Sequence, residues 1–130
     1  MPNYSWGSNK TANDPCPAGW RIPDGGENGI WAKALGSNKA FTDGSLSNGN
    51  GLNFSGKFGS DSIISYPAAG YRSDSDGSLL NVGSHGRYWS VTPDQYYYAY
   101  YLHFRNDGHV DPAYYLYGRG YGYSVRCVRE

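Results

Sequence analysis

Consecutive tyrosines in the last third of the chain set the strongest constraint on its fold. They occupy positions 96–98, 100–101 and 114–115, and 11 of the 14 tyrosines fall between Tyr88 and Tyr123. Successive residues of a β-strand point to opposite faces of a sheet, so these rings cannot all lie in one core. Aromatic residues do suit strands, but residues 114–121 also contain glycines and are predicted as a loop. Many of the tyrosines are therefore expected at the surface.

The remaining pattern predicts one α+β domain covering residues 1–130. The 19 glycines and 7 prolines are too many for a helical bundle, while 38% hydrophobic residues can still fill a core. We expect short, mainly antiparallel strands, one or two helices and many loops. The predicted strands are Ile63–Tyr66, Gly70–Arg72, Ser78–Val82, Gly86–Thr92, Ala99–Arg105 and Gly122–Arg129.

Alternation assigns faces to the last two of these strands. In Ala99–Arg105, the face with Leu102 and Phe104 is predicted to be buried and the face with Tyr101, His103 and Arg105 to lie opposite. In the final strand, Tyr123, Val125 and Cys127 are expected to share one face.

One helix is predicted before these strands. Asp24 is placed to cap it, Glu27 follows three residues later as in a capping box, and an apolar stripe runs from Ile30 to Leu35 before Gly36. The proline-rich segment 13–23 is expected to be extended, with Trp20 and Ile22 anchored in the core. Residues 37–62, rich in Gly, Ser and Asn, are predicted as a surface loop.

The two cysteines, Cys16 and Cys127, lie near opposite ends of the chain. They are either two buried free thiols or one disulfide that clasps the domain. We favour the disulfide, which would point to an oxidising compartment or a virion surface. Neither cysteine has a second one at metal-ligand spacing, so no thiolate zinc site is expected.

Several classes of function are disfavoured. The 11 basic and 11 acidic residues balance, which argues against nucleic-acid binding. No apolar run approaches a membrane span, and the first residues do not form a signal peptide. Ser90 and Ser124 lack a nucleophile motif, so neither catalysis nor a cofactor is expected. His85, His103 and His109 lack metal-ligand spacing, and residues 74–77 are predicted as a turn rather than a calcium loop.

The composition of residues 96–123 favours a binding surface. This segment contains no Lys, Glu, Gln, Met, Trp, Ser or Thr, and its polar residues are Tyr, His, Asp, Asn and Arg. Tyrosine offers rigid amphipathic contact area at low entropic cost, and the other four add directional hydrogen bonds. Mutation of the adenines in an Asn codon yields much the same set of residues. The segment is therefore typical of a diversified ligand-binding surface.

Four motifs resemble those of one known family. They are Asp14–Pro23, Ala69–Arg72, Tyr88–Thr92 and Ser124–Val128, and together they span essentially the whole chain. They are similar to the Fibrobacter succinogenes major paralogous domain, found in surface proteins of gut Bacteroidetes and their phages. The tyrosine-rich end resembles the variable region of proteins diversified by diversity-generating retroelements.

The resemblance implies a C-type lectin-like fold of the formylglycine-generating-enzyme type, with a variable region at about 86–123. It implies a non-catalytic receptor-binding domain on a phage tail fibre, bacterial surface protein or pilus tip, hence outside the cell or on a virion. Its partner would be a protein or glycan on a cell surface. A fixed carbohydrate-binding module and a structural domain of a surface assembly remain as alternatives; the structural domain predicts burial of Tyr96, Tyr114 and Tyr115.

The resemblance also assigns roles to individual positions. Scaffold positions would be Trp89, Ala99, Leu102, Phe104, Val125 and Cys127. Candidate variable, ligand-contacting positions are Arg87, Val91, Tyr96, Tyr97, Tyr98, Tyr101, His103, Arg105, Asp107, His109, Asp111, Tyr114, Tyr115, Tyr117 and Tyr121. Calcium-dependent sugar binding is not expected, because the Glu-Pro-Asn, Gln-Pro-Asp and Trp-Asn-Asp motifs of lectin relatives are missing.

Overall fold

The computed structural model describes residues 10, 12–35, 51–53, 65–93, 98–115 and 120–130. Short antiparallel strands, one short helix and loops make up this part of the chain, as an α+β protein requires. The elements in chain order are β1 (Trp20–Arg21), α1 (Ile30–Leu35), β2 (Gly51–Asn53), β3 (Ser65–Pro67), β4 (Tyr71–Arg72), β5 (Leu79–Leu80), β6 (His85–Pro93), β7 (Ala99–Arg105), β8 (Val110–Tyr114) and β9 (Val128–Arg129).

The central feature is an antiparallel sheet in the order β6–β7–β8. Tyr88 faces Leu102 and Gly86 faces Phe104 across β6 and β7, and Val110 of β8 faces Phe104. The other described strands form two-stranded pairs: β1 with β9, β2 with β3 and β4 with β5. No helix in the described part of the chain is both long and apolar enough to traverse a lipid bilayer.

One side of the central sheet, here called the core face, carries Tyr88, Leu102, Phe104 and Val110. These side chains are buried in one cluster with Trp31 and Leu35 of α1 and with Leu52, Tyr66 and Ala68. Gly86 is required where β6 passes under the Phe104 ring, because a Cβ at this position would lie 2.0 Å from the ring's Cζ. The expected burial of Leu102 and Phe104 is confirmed.

The opposite side is buried as well, which corrects the predicted alternation. Tyr101 and His103 are buried, and only Arg105 at the end of β7 is partly exposed. The reason is that residues from β4 and from 121–123 pack over this side. Alternation along one strand shows which residues share a side, but not whether a distant segment covers it.

The helix is shorter than predicted and its start differs. It begins at Ile30 after a turn in which the Gly29 N–H donates to the Gly26 carbonyl and the Ile30 N–H donates to the Asp24 carbonyl. The Asp24 carboxylate pairs instead with Arg21 at 3.1 Å. The predicted capping box is therefore wrong, while Trp31 and Leu35 are buried as expected. Gly36 lies outside the described residues.

A disulfide between Cys16 and Cys127 joins the N-terminal segment to the last part of the chain. Beside it, β1 pairs with β9, and Ile22 is buried as predicted. Trp20 is not a core residue, because it is 40% exposed. Its ring lies against the Arg129 guanidinium on the surface, 5.6 Å from the guanidinium carbon to the ring centroid.

Asp14 fixes the backbone on both sides of Cys16. Its Oδ1 accepts the Cys16 N–H at 2.8 Å, its Oδ2 accepts the Ile22 N–H at 3.1 Å, and Lys10 lies 3.3 Å from Oδ1. Burial by itself raises the pKa of Asp14, but the two backbone N–H groups and Lys10 outweigh it and lower the pKa below its ordinary value. The carboxylate thus accepts backbone hydrogen bonds that a helix or sheet would otherwise accept, in a segment where prolines restrict regular secondary structure.

Several other strand predictions need correction. Within the predicted strand Gly122–Arg129, only Val128–Arg129 is a strand, and Gly122 and Ser124 form isolated bridges. Val125 is 37% exposed, so it does not share a buried face with Tyr123. Gly51–Asn53 forms β2 inside the predicted loop; Ile63 and Ile64 lie outside the described residues. Strand β8 was not predicted. Proline is disfavoured inside a sheet, and Pro112 is tolerated because β8 is an outer strand.

Candidate ligand-binding surface

The predicted ligand-contacting positions divide by exposure into three groups. Tyr96, Tyr97 and Tyr117 lie outside the described residues. Of the rest, four are exposed (Tyr98, Asp107, His109, Tyr115), four are half-buried (Arg105, Asp111, Tyr114, Tyr121) and four are buried (Arg87, Val91, Tyr101, His103). Four of the described candidates are therefore buried side chains.

Three of the buried four lie on the second side of the central sheet. This side, here called the aromatic face, carries Arg87, Trp89, Tyr101, His103 and Tyr114. Arg87 faces His103 and Trp89 faces Tyr101 across β6 and β7, and Tyr114 of β8 faces Tyr101. Tyr71, Tyr121 and Tyr123 cover it, with the Tyr123 ring centroid 4.3 Å from that of Trp89 and 4.6 Å from that of Tyr101.

Arg87 is held under this aromatic cover. Its guanidinium carbon lies 3.8 Å from the centroid of the Tyr71 ring, and its Nη1 donates to the Tyr123 hydroxyl at 3.1 Å. Cations stack favourably on the faces of aromatic rings, and more so when they are removed from water. Arg87 therefore stabilises the face from within and does not reach solvent as a ligand contact.

Tyr101 and Val91 are also interior residues. Tyr101 has no exposed surface, and its burial, together with the nearby Tyr123, strongly raises the pKa of its hydroxyl. Val91 packs against Ile22 and the Cys16–Cys127 disulfide. Both side chains are therefore buried support of the sheet. This is the scaffold role that the resemblance implies for the nearby Trp89 and Leu102.

His103 is the most unusual of the buried residues. It is 5% exposed, and its ring stacks on His85 and meets His109 and Tyr114 edge-on. Burial, followed by the neighbouring Arg87, lowers the pKa of its imidazole to about 3. The ring is therefore neutral at physiological pH.

The exposed tyrosines cluster near one end of the sheet. Tyr115, 46% exposed, meets the half-buried Tyr100 ring edge-on, with the centroids 6.0 Å apart and the planes at 69°. Gly26, at a φ of 76°, brings the backbone against the Tyr100 ring. Tyr98, two residues before Tyr100, is also exposed. We call Tyr98, Tyr100 and Tyr115 the tyrosine corner.

The turn between β7 and β8 carries the charged candidates. Arg105 and Asp107 form an ion pair at 3.2 Å, and the other Asp107 oxygen accepts the His109 N–H. This backbone hydrogen bond, followed by Arg105, lowers the pKa of the Asp107 carboxyl. Asp111 in β8 accepts the Ala113 N–H at 2.9 Å. Both carboxylates therefore stabilise the local backbone, while His109 is exposed and its ring meets the His103 ring edge-on.

Within the described residues, no group of three or more His, Cys, Asp or Glu side chains could hold a metal ion. In the turn after β4, the Asp76 Oδ1 accepts the Ser78 N–H at 3.0 Å and the Ser78 hydroxyl at 2.7 Å. These two hydrogen bonds lower the pKa of Asp76 and make it a turn residue.

Sequence reasoning missed the cover of the aromatic face. Tyr71 was assigned to a short strand and Tyr123 to a regular one, and neither was expected to pack over Arg87. Tyr121 and Tyr123 share one side of the chain, which was the available signal. Their segment is joined to β4 by the bridge Arg72–Gly122 and to β6 by the bridge Tyr88–Ser124, and no local pattern encodes these long-range contacts.

The chain matches no protein-family model, no curated protein and no solved structure.

Proposed function

We propose that this chain is a non-catalytic ligand-binding domain that contacts its ligand through the exposed tyrosine-rich part of residues 96–123. The observation that carries the proposal is the restricted composition of that segment, which lacks Lys, Glu, Gln, Met, Trp, Ser and Thr. A fold alone would not require this restriction. A binding surface favours it, because Tyr, His, Asp, Asn and Arg together offer contact area and hydrogen bonds.

The exposure of the described residues separates this segment into ligand-contacting and supporting positions. Tyr98, Tyr115 and His109 are exposed, and Tyr114 and Tyr121 are half-buried at the margin of the aromatic face. The buried Tyr101 packs against Tyr114, and the buried His103 packs against Tyr114 and His109. The ligand contacts in this proposal are therefore the exposed and half-buried positions, and the buried ones are support.

The finer parts of the proposal concern fold family and origin. We propose a C-type lectin-like fold and diversification by a retroelement, as a phage tail-fibre or bacterial surface or pilus-tip adhesin. The four family-like motifs and the restricted composition support this, and the Cys16–Cys127 disulfide suits an oxidising exterior. Reading the flanking DNA tests it: a near-copy of the 3′ coding end that differs at adenines, next to a reverse transcriptase gene, is expected. Absence of both would remove the proposed origin but not the binding function.

The geometry of the tyrosine corner favours a protein ligand over a linear glycan. Sugar rings stack on flat aromatic surfaces, and two rings at 69° offer one face and one edge rather than a shared platform. Such a corner suits an apolar side chain that packs against the exposed outer surface of the ring pair. Exposure of Tyr115 also weighs against a purely structural domain, which predicts that it is buried; Tyr114 is half-buried, and Tyr96 lies outside the described residues.

The binding function is tested by screening the domain against a glycan array and a display library of surface proteins. Tyr98→Ala and Tyr115→Ala should each weaken the selected interaction at least about tenfold, as truncation of a central aromatic contact does. Leu79→Ala and Val82→Ala serve as controls, because these apolar residues are more exposed than Tyr98 and Tyr115 but lie outside the segment. Equal loss in both pairs, or in neither pair, would contradict the assignment of the surface.

A further inference from the structure

His103 combines burial with an unusual lack of hydrogen bonds. Its ring is enclosed by His85, His109 and Tyr114, with centroids 5.8, 5.7 and 5.0 Å away. Neither ring nitrogen is accessible to solvent, and neither has a hydrogen-bond partner among the described residues. Buried polar groups normally have partners, so exceptions call for an explanation. The neutral ring tolerates this environment, whereas a protonated ring would need acceptors that it does not have.

The charges around His103 are unfavourable to a further positive charge. The ionisable groups next to it come from β6 (His85, Arg87), β7 (Tyr101, Arg105), and the following turn and β8 (His109, Asp111, Tyr114). Asp107 lies in the same turn as His109, and the covering Tyr71, Tyr121 and Tyr123 pack around Tyr101. Asp107 pairs with Arg105, and Asp111 accepts a backbone N–H. No ion pair joins His103 to either carboxylate in the described part of the chain.

Strand β8 is the shorter of the two outer strands of the central sheet, and its Val110 is buried in the core cluster. Among the described strands it pairs only with β7, it is only five residues long, and it contains Pro112, which cannot donate to a ladder. Its register with β7 slips between Tyr101 and His103, beside the buried imidazole. A charge placed at His103 therefore acts at the weakest point of the pairing.

We propose that His103 is a proton-operated latch: when its ring takes up a proton in mildly acidic solution, β8 separates from β7 and the aromatic face opens. Opening removes the His109 and Tyr114 rings from the imidazole and lets water and acceptors reach the imidazolium. The consequence that acid alters ligand binding rests on the proposed function, because Tyr114 and Tyr115 would move with β8. The latch itself does not rest on it, and its test uses no ligand.

The direction of the pH effect follows from linkage. The pKa of His103 is about 3 in the closed fold, against an ordinary value of 6.5. The open state therefore binds more protons, and the closed state loses stability as pH falls below about 6.5. Between pH 7.5 and 5.0 this favours opening by about 30-fold. Burial and the same arginines also lower the pKa of His85, which adds in the same direction.

The test is amide hydrogen exchange by NMR at pH 7.5 and 5.0, corrected for intrinsic rates. Protection of the β8 amides should fall by about 30-fold at pH 5.0. Two amides remote from β8 serve as internal references, because the Val91 N–H bonds to Pro23 and the Glu130 N–H bonds to Gly19. These should keep their protection. An equal fall at all amides would mean global unfolding and would overturn the latch.

Two variants identify the responsible ring. His103→Phe keeps an aromatic ring and removes the main titrating group, so most of the pH dependence of β8 protection should be lost and only the smaller effect of His85 should remain. His109→Gln, at the exposed neighbour, should retain the dependence. Should His103→Phe fail to fold, the wild-type imidazole signals decide: a His103 ring that titrates near pH 6.5 while β8 stays protected would overturn the proposal, and a ring that stays neutral to pH 5 until β8 opens would support it.

Discussion

The guanidinium of Arg87 lies 3.8 Å from the centre of the Tyr71 ring, and the same side chain donates to the Tyr123 hydroxyl. Arg87 belongs to the central sheet, whereas Tyr71 and Tyr123 belong to the segments that cover it. This one side chain therefore joins two parts of the fold that are distant in sequence.

Replacing Arg87 by Met should lower the free energy of unfolding by about 1–3 kcal/mol, because the stacking and a buried hydrogen bond are both lost. Urea denaturation at neutral pH measures this. Arg129→Met is the matched control, since Arg129 stacks on the exposed Trp20 ring at 5.6 Å and should cost under about 1 kcal/mol. Equal losses in the two variants would show that burial of the Arg87 stack is unimportant.

Gly86→Ala should destabilise the protein by at least about 1–3 kcal/mol, because its Cβ would overlap the Phe104 ring. Combining it with Phe104→Leu tests the cause. Both single changes are destabilising, but the double variant should lose less than their sum, since the smaller side chain gives the Cβ room. Additive losses would indicate that Gly86 is needed for another reason.

The disulfide closes a loop with a sequence separation of 111 residues. Replacing both Cys16 and Cys127 by Ser should reduce stability by about 4–5 kcal/mol in the chain-entropy model. Thermal unfolding of the wild-type protein with and without reductant provides the comparison. Intact mass under non-reducing conditions should show the loss of two hydrogens; free thiols in an oxidised sample would contradict the bond.

Asp14 should contribute to acid unfolding. Its pKa is lowered in the fold, so its stabilising effect is present above its ordinary pKa and is lost as pH falls through the lower folded value. Asp14→Asn should cost about 1–3 kcal/mol at pH 7, because one of the two backbone N–H groups loses its acceptor. Its stability should also change less between pH 5 and pH 3 than that of the wild type. An unchanged acid transition would show that other carboxyls control it.

The sequence predicted correctly the strand whose signals are all local. Strand β7 has the predicted bounds Ala99–Arg105, because alternation, β-propensity and the buried Leu102 and Phe104 agree. Strand β8 was missed because Pro112 is a signal against strands that an edge position overrides. The helix begins only at Ile30, because a turn closed by the Gly29 N–H and the Gly26 carbonyl precedes it.

The binding surface was predicted less well than the strands. Composition identified the segment, but it could not separate exposed Tyr115 from buried Tyr101, since both are tyrosines next to tyrosines. The separation depends on Tyr121 and Tyr123 folding back over the sheet, a tertiary contact without a sequence period. Burial of Arg87 was unexpected for the same reason, because arginine is rarely buried without specific partners.

The burial of Arg87, Tyr101 and His103 under shared neighbours has a consequence for how this surface tolerates mutation. Arg87 lies near Tyr101 and contacts Tyr123, and His103 touches Tyr114, so substitutions among them should be strongly non-additive. Tyr98, Tyr115 and His109 are exposed, and their substitutions should combine nearly independently. In a library of many variants, most of the folded ones should differ at the exposed positions. Changes at the buried positions should be found mainly in combinations that compensate for one another.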